Sequence, residues 1–115
     1  MNLLFTSVGR RVELLRAFRR AYDELELRGE IVAVDIDPLA PALQEADRWH
    51  LIPRLGDEDY IPTLLEICRS DAIDLLIPLV DRDMPLLVKN RTAIEAMGTR
   101  PLIPTAKSAT IVADE

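Results

Sequence analysis

Cysteine and histidine occur once each, as Cys68 and His50. A lone cysteine makes no internal disulfide, so the disulfide-framed secreted classes fall away. A Cys–His nucleophilic pair needs its members adjacent with an orienting third group. Here Cys68 falls on the apolar side of a helical pattern and His50 sits between Trp49 and Leu51, so both read as structural residues and no catalytic residue is assigned. Long apolar runs are missing too: nothing approaches the ~18 residues of a membrane span. The start, Met1-Asn2-Leu3-Leu4-Phe5, lacks the basic opening and small-residue cleavage site of a signal peptide. These gaps favour a soluble, cytoplasmic chain with no membrane partner.

Positive charge is in deficit. Fourteen basic residues face 20 acidic ones, for a net charge of −6. A general nucleic-acid binder needs a basic face to neutralise phosphates, so that class is excluded. The arginines that do occur crowd one stretch: Arg10, Arg11, Arg16, Arg19 and Arg20. Glu13, Asp23 and Glu24 lie among or just after them at helical ion-pair spacing. Glycine is sparse as well, with four in 115 residues. A dinucleotide fingerprint needs three small positions, G-x-G-x-x-G. The aligned residues are Ser7, Gly9 and Val12, so one glycine of three is present, and Val12 obstructs the close helix–strand contact that the third one permits.

What is present is a strong alternation. Leu3-Leu4-Phe5 reads as a buried strand and Thr6 to Arg11 as the turn after it. Val12, Leu15, Phe18, Tyr22 and Leu25 then form the apolar face of a helix that Gly29 should end. Ile31 to Val34 is a second buried strand. Pro41 opens a short helix within Leu39 to Ala46. Trp49 to Ile52 is a third strand. Ile61, Leu64, Leu65 and Cys68 mark a second long helix. Asp74 to Val80 is a fourth strand. Asp83 should cap a third long helix carrying Leu87, Ile94 and Met97 and ending at Gly98. Pro101 to Pro104 is a short edge strand, and Thr105 should cap a final helix from about Ala106 to Ala113.

Strands alternating with helices predict one α/β domain over residues 1–115, a Rossmann-like parallel sheet of about five strands with helices on both faces. Right-handed crossovers favour the order 3-2-1-4-5. The switch point then lies between the first and fourth strands, where the loops Ser7 to Arg11 and Leu79 to Asp83 face each other. Ligands of open α/β sheets bind there. Ser7, Gly9, Arg10 and Arg11 suit a small anion, a carboxylate or a single phosphate; the plainer reading is that Gly9 only makes the turn. Asp35 stands where an acid accepts ribose hydroxyls, or it closes an Asx-type turn towards Pro38. Asp81 is the acid of the facing loop. No spacing among Asp35, Asp37, Asp81 and Asp83 demands a metal, and none is assigned.

Taken together, several segments resemble a known family. They are Thr6 to Arg11, Asp35-Ile36-Asp37-Pro38-Leu39-Ala40-Pro41-Ala42-Leu43, Glu45-Ala46-Asp47 and Ile52-Pro53-Arg54. Tyr60-Ile61-Pro62 with Leu64 to Cys68, and Asp74 to Asp81, fit as well. The pattern is similar to the N-terminal, pre-ATP-grasp domain of ATP-grasp ligases, nearest the carbamoyl-phosphate-synthase large-subunit-like branch. The resemblance implies the substrate-side domain of an ATP-dependent carboxylate–amine ligase, with the remainder of a longer chain as its partner and a small carboxylate as substrate. ATP and magnesium then belong to residues outside this chain, and the fragment alone is expected to bind neither and to be inactive. The family often continues Asp-Lys where this chain reads Asp114-Glu115. Ser7 to Arg11 and Leu79 to Asp83 match family loops that face the central cleft. An alternative is a stand-alone Rossmann-like module that holds a nucleotide, dinucleotide or nucleotide-sugar. A homodimer built on helix faces is a third reading.

Overall fold

Leu3, Leu4, Phe5 and Thr6 are all buried, and they form the central strand β1 (Leu3–Thr6) of a computed structural model that describes residues 1–103. The chain then runs through α1 (Val12–Glu24), β2 (Ile31–Asp35), a 3₁₀ turn (Pro41–Glu45), β3 (Arg48–Leu51), α2 (Tyr60–Ser70) and β4 (Leu75–Pro78). A second 3₁₀ turn (Asp81–Asp83), α3 (Met84–Lys89), α4 (Arg91–Ala96) and β5 (Arg100–Pro101) complete it. All four strand pairings are parallel, and the order is β3-β2-β1-β4-β5, as the alternation predicts. β1 is flanked in register on both sides: Phe5 lies opposite Ala33 in β2 and Ile77 in β4.

Side chains alternate across this sheet, so each face has its own core. Leu3, Phe5, Ile31 and Ala33 meet Val8, Leu15 and Tyr22, together with Ala42 and Leu43 of the 3₁₀ turn. Phe18 of α1 sets its ring edge-on to Phe5 at 4.9 Å. Leu4, Val32, Val34 and Leu76 meet Tyr60, Leu64, Ile67 and Cys68 of α2, with Leu87 and Ile94. This division follows from handedness. The chain winds one way from β1 to β3 and the other way from β3 to β5, so right-handed crossovers fall on opposite faces. Among the described residues, no helix is long and apolar enough to cross a membrane.

The structure moves several expected boundaries. α1 stops at Glu24, short of Gly29. Its end is a Schellman closure, with Leu27 N–H donating to Tyr22 O at 2.9 Å and Glu26 N–H to Asp23 O at 3.3 Å. Glu26 takes the left-handed position, φ 54°, that glycine was expected to fill. Leu25 therefore leaves the apolar face and is 68% exposed. Gly29 serves close approach instead: at φ 136° a Cβ there would sit 2.0 Å from Met1 O. The third long helix is divided into α3 and α4 at Asn90, whose backbone leaves helical geometry (φ −106°, ψ 17°); its side-chain amide donates to Leu86 O at 2.8 Å, a carbonyl that also accepts the Asn90 N–H at 3.2 Å. Asp83 precedes α3 but makes no side-chain cap bond. β3 begins one residue early, at Arg48; β4 is trimmed to four residues; β5 is Arg100–Pro101 at the sheet's edge. The expected final helix, Ala106 to Ala113, and the Asp114-Glu115 junction lie outside the described residues.

Candidate functional site

Parallel strands bring all their carboxyl ends to one crest, and the loops leaving that crest enclose a cleft of about 790 Å³. This is within the ordinary size of small-molecule sites. It lies at the switch point between β1 and β4. The loop after β1 supplies Ser7 to Arg11, and β2 and its following turn supply Asp35, Ile36 and Asp37. Arg54 and Gly56 come from the segment after β3, Tyr60 from the start of α2, and Arg82 and Asp83 from the turn after β4.

The β1–α1 turn is held by its neighbours. Ser7 and Gly9 both adopt positive φ, 55° and 50°. Gly9 does so freely, whereas Ser7 carries a strain that only a well-braced loop sustains. The braces are visible. Gly9 N–H donates to Asp35 Oδ2 at 2.8 Å, and Gly9 O accepts from Ala42 N–H at 3.1 Å. Asp35 Oδ1 accepts from Asp37 N–H at 3.0 Å, and Asp37 Oδ1 accepts from Leu39 N–H at 2.9 Å. On the other side, the Thr6 and Ser7 hydroxyls both donate to Asp83 Oδ2, at 3.0 and 2.8 Å.

Five of the six residues singled out from the sequence meet here: Ser7, Gly9, Arg10, Arg11 and Asp35. Asp81 does not. It is exposed and outside the cleft lining, and Asp83, two residues on, is the acid that turns inward and is 1% exposed. The intervening 3₁₀ turn sets that phase, and strand periodicity carries no information about it. Two further expectations change. The Ser7 hydroxyl was to donate to an anion, but its proton is committed to Asp83, which leaves its lone pairs towards a ligand. Gly9 was to let its backbone meet an anion, but its N–H is committed to Asp35. The Asx reading of Asp35 holds as geometry, with both carboxylate oxygens in use.

With Ser7 O–H and Gly9 N–H taken, the open cationic groups of the cleft are side chains. Arg10, Arg11, Arg54 and Arg82 stand exposed around the cleft, and among the described residues none of the four is ion-paired. Farther along α1 the charges are spent locally: Arg16 pairs with Glu13 and Glu45, and Arg19 with Asp47. The Arg16 contact holds the Glu45 carboxyl below its ordinary value. Sequence reasoning placed the Leu79 to Asp83 loop at the cleft but named Asp81 as its acid, and it passed over Arg54 and Tyr60 as ligand-facing groups. The available signal was topological, since residues just past a parallel strand converge on the crest whatever their spacing.

Residues 3–102 match the family model described as PylC-like, N-terminal domain. The chain belongs to that family. This PylC-like domain is a pre-ATP-grasp domain, as the sequence resemblance implied. Over 94 residues it is 31% identical to a formate-dependent phosphoribosylglycinamide formyltransferase of Solidesulfovibrio magneticus. That stretch covers 82% of this chain and 22% of the relative, so the PylC-like domain spans about a fifth of that protein's length. Among solved structures, its fold is similar to part of a complete multifunctional pyruvate carboxylase from Rhizobium etli. The TM-score is 0.60 at 20% identity, covering 93% of this chain and 11% of that one.

Proposed function

We propose that this PylC-like domain is the substrate-side wall of an ATP-dependent carboxylate–amine ligase, and that a small carboxylate binds in the cleft. The observation that carries the reading is the ring of four arginines, Arg10, Arg11, Arg54 and Arg82, at the switch point with no acid paired to them among the described residues. Guanidinium groups suit planar carboxylates because two N–H donors match two oxygens. Their task in this reading is to bind and orient the acid, so that its reacting oxygen faces whatever covers the cleft.

The β1–α1 turn offers little to a dinucleotide pyrophosphate: Gly9 N–H is taken and Val12 fills the third fingerprint position. In this reading ATP and magnesium belong to other parts of a longer chain, as in the ATP-dependent family the domain resembles. The same observations weigh against a stand-alone nucleotide module.

The test is double replacement, Arg10→Ala with Arg11→Ala, in the intact ligase. Loss of two charge-assisted contacts should raise KM for the carboxylate about tenfold or more while Tm moves by less than about 3 °C. Unchanged kinetics would remove both arginines from the site. The isolated domain should bind ATP–magnesium, NAD and a UDP-sugar no tighter than about 1 mM. Micromolar binding of any of them would favour the module instead.

A further inference from the structure

Two polar groups on the floor of the cleft have no internal partner. Asp83 is 1% exposed, and both hydroxyls that reach it, from Thr6 and Ser7, go to Oδ2. Its Oδ1 accepts no hydrogen bond among the described residues. Tyr60 is 3% exposed, and its phenol hydroxyl likewise makes no hydrogen bond among them. Neither atom is sealed away from the cleft, for neither is among the fully enclosed unpaired side-chain atoms. Both residues line the same cavity. The Asp83 charge also acts on Tyr60: burial pushes the phenol up, and that charge pushes it further in the same direction.

An oxygen that opens to a cleft is solvated there, and a ligand that displaces that water must replace its hydrogen bond or lose affinity. The fixed donors of this site are already spent. Ser7 O–H is aimed at Oδ2 and Gly9 N–H at Asp35. A ligand group that replaces water at Asp83 Oδ1 must therefore carry its own hydrogen.

We propose that Asp83 and Tyr60 form a two-point subsite for a hydrogen-bond-donating group, an alcohol or an amine, on the molecule whose carboxylate the arginines hold. The inference rests on the arginine-ring reading above and adds polarity to it: the rim wants acceptors and the floor wants donors. Asp83 Oδ1 accepts from the ligand. The Tyr60 hydroxyl donates to an alcohol oxygen or accepts from an ammonium group. Ser7, with only lone pairs to offer, reinforces the same preference. A carboxylate with a purely apolar tail satisfies the rim and leaves the floor unpaired.

A matched series separates these contributions: butyrate, 4-hydroxybutyrate and 4-aminobutyrate. They share one carboxylate and one chain length and end in methyl, hydroxyl or ammonium. Each is titrated against the 115-residue chain by amide chemical-shift mapping. The donor-bearing probes should bind at least about tenfold tighter than butyrate, with shifts at Ser7, Tyr60 and Asp83. Whichever of the two is tighter identifies alcohol or amine as the natural group. Asp83→Asn should shrink the preference to about threefold or less, and Tyr60→Phe should reduce it partway. If Asp83→Asn fails to fold, Tyr60→Phe alone decides, since it keeps the ring in the core. Equal binding of all three probes at the arginines would overturn the subsite and leave the carboxylate reading standing. A preference that survives the substitution read would overturn the subsite as well. Failure of every probe to bind would overturn both.

Discussion

Asp35 offers the sharpest test of how the cleft is assembled. Its two oxygens bind two backbone N–H groups, Gly9 at 2.8 Å and Asp37 at 3.0 Å, and its side chain is buried at the end of β2. Asp35→Ala leaves both donors without that acceptor. A bond from an amide to a charged group is worth about 1.5–3 kcal/mol, and the crest position lets water repair part of the loss. The expected cost is therefore about 2–3 kcal/mol in total, close to the lower end for two such bonds. For a domain of this size that lowers Tm by about 10 °C or more. The urea midpoint should fall with the m-value unchanged, because the surface exposed on unfolding is the same. Asp35→Asn keeps one oxygen acceptor and should recover about half the loss. Hydrogen exchange adds a local reading: the Gly9 amide should lose protection in Asp35→Ala while the amides of β1 keep theirs. A Tm within about 2 °C of the parent would refute the bracing role, given that scale. So would an Asn variant as unstable as the Ala one.

Gly29→Ala should cost at least about 2 kcal/mol, since φ 136° is almost a glycine-only region and the new Cβ would meet Met1 O at 2.0 Å. Urea denaturation checks it, and a loss below about 0.5 kcal/mol, the level of an ordinary surface change, would contradict the close approach. Cys68 is wholly buried, and burial pushes its thiol up, so native protein should resist a thiol reagent that labels it at once in urea. A raised folded-state pKa gives stability that is full below the unfolded thiol's value and is lost as pH rises through the folded one. The urea midpoint should therefore begin to fall above about pH 8.5, and Cys68→Ala should remove that onset. An unchanged profile in the variant would contradict it. Tyr22 and Tyr60, also pushed up by burial, should extend the decline at higher pH.

The sheet was legible because its information is periodic. Ile31 to Val34 reads as a strand covered on both faces, and it is buried throughout. Alternating elements and right-handed crossovers then leave one natural order, and the structure adopts it. The switch point follows from that order, and with it the place of Ser7, Gly9, Arg10, Arg11 and Asp35. What the pattern did not carry is phase and partnership. A short 3₁₀ turn decides that Asp83 faces inward and Asp81 outward. Nothing in a string of residues says that Ser7's proton goes to an acid 76 positions away. The end of α1 departs from its apolar pattern for a related reason. Glycine is the usual left-handed residue at a helix end, but Leu27 and Tyr22 close the turn around Glu26 first. At Asn90 the backbone departs from helical geometry within a stretch that apolar spacing alone makes continuous, because a local change of ψ leaves the hydrophobic pattern untouched.

The crest draws its side chains from four separate crossovers, while the register of the strands beneath them is set by Leu4, Val32 and Leu76 in the interior. The exposed arginines of the crest are thus written in different parts of the chain from the strand core, with Tyr60 shared between the two. If the cleft binds as proposed, lengthening the segment around Gly56, or exchanging Arg54 and Arg82, should alter what it selects without asking the interior to repack. Such a scaffold lends itself to retargeting by loop exchange, and related chains can diverge in ligand long before they diverge in shape.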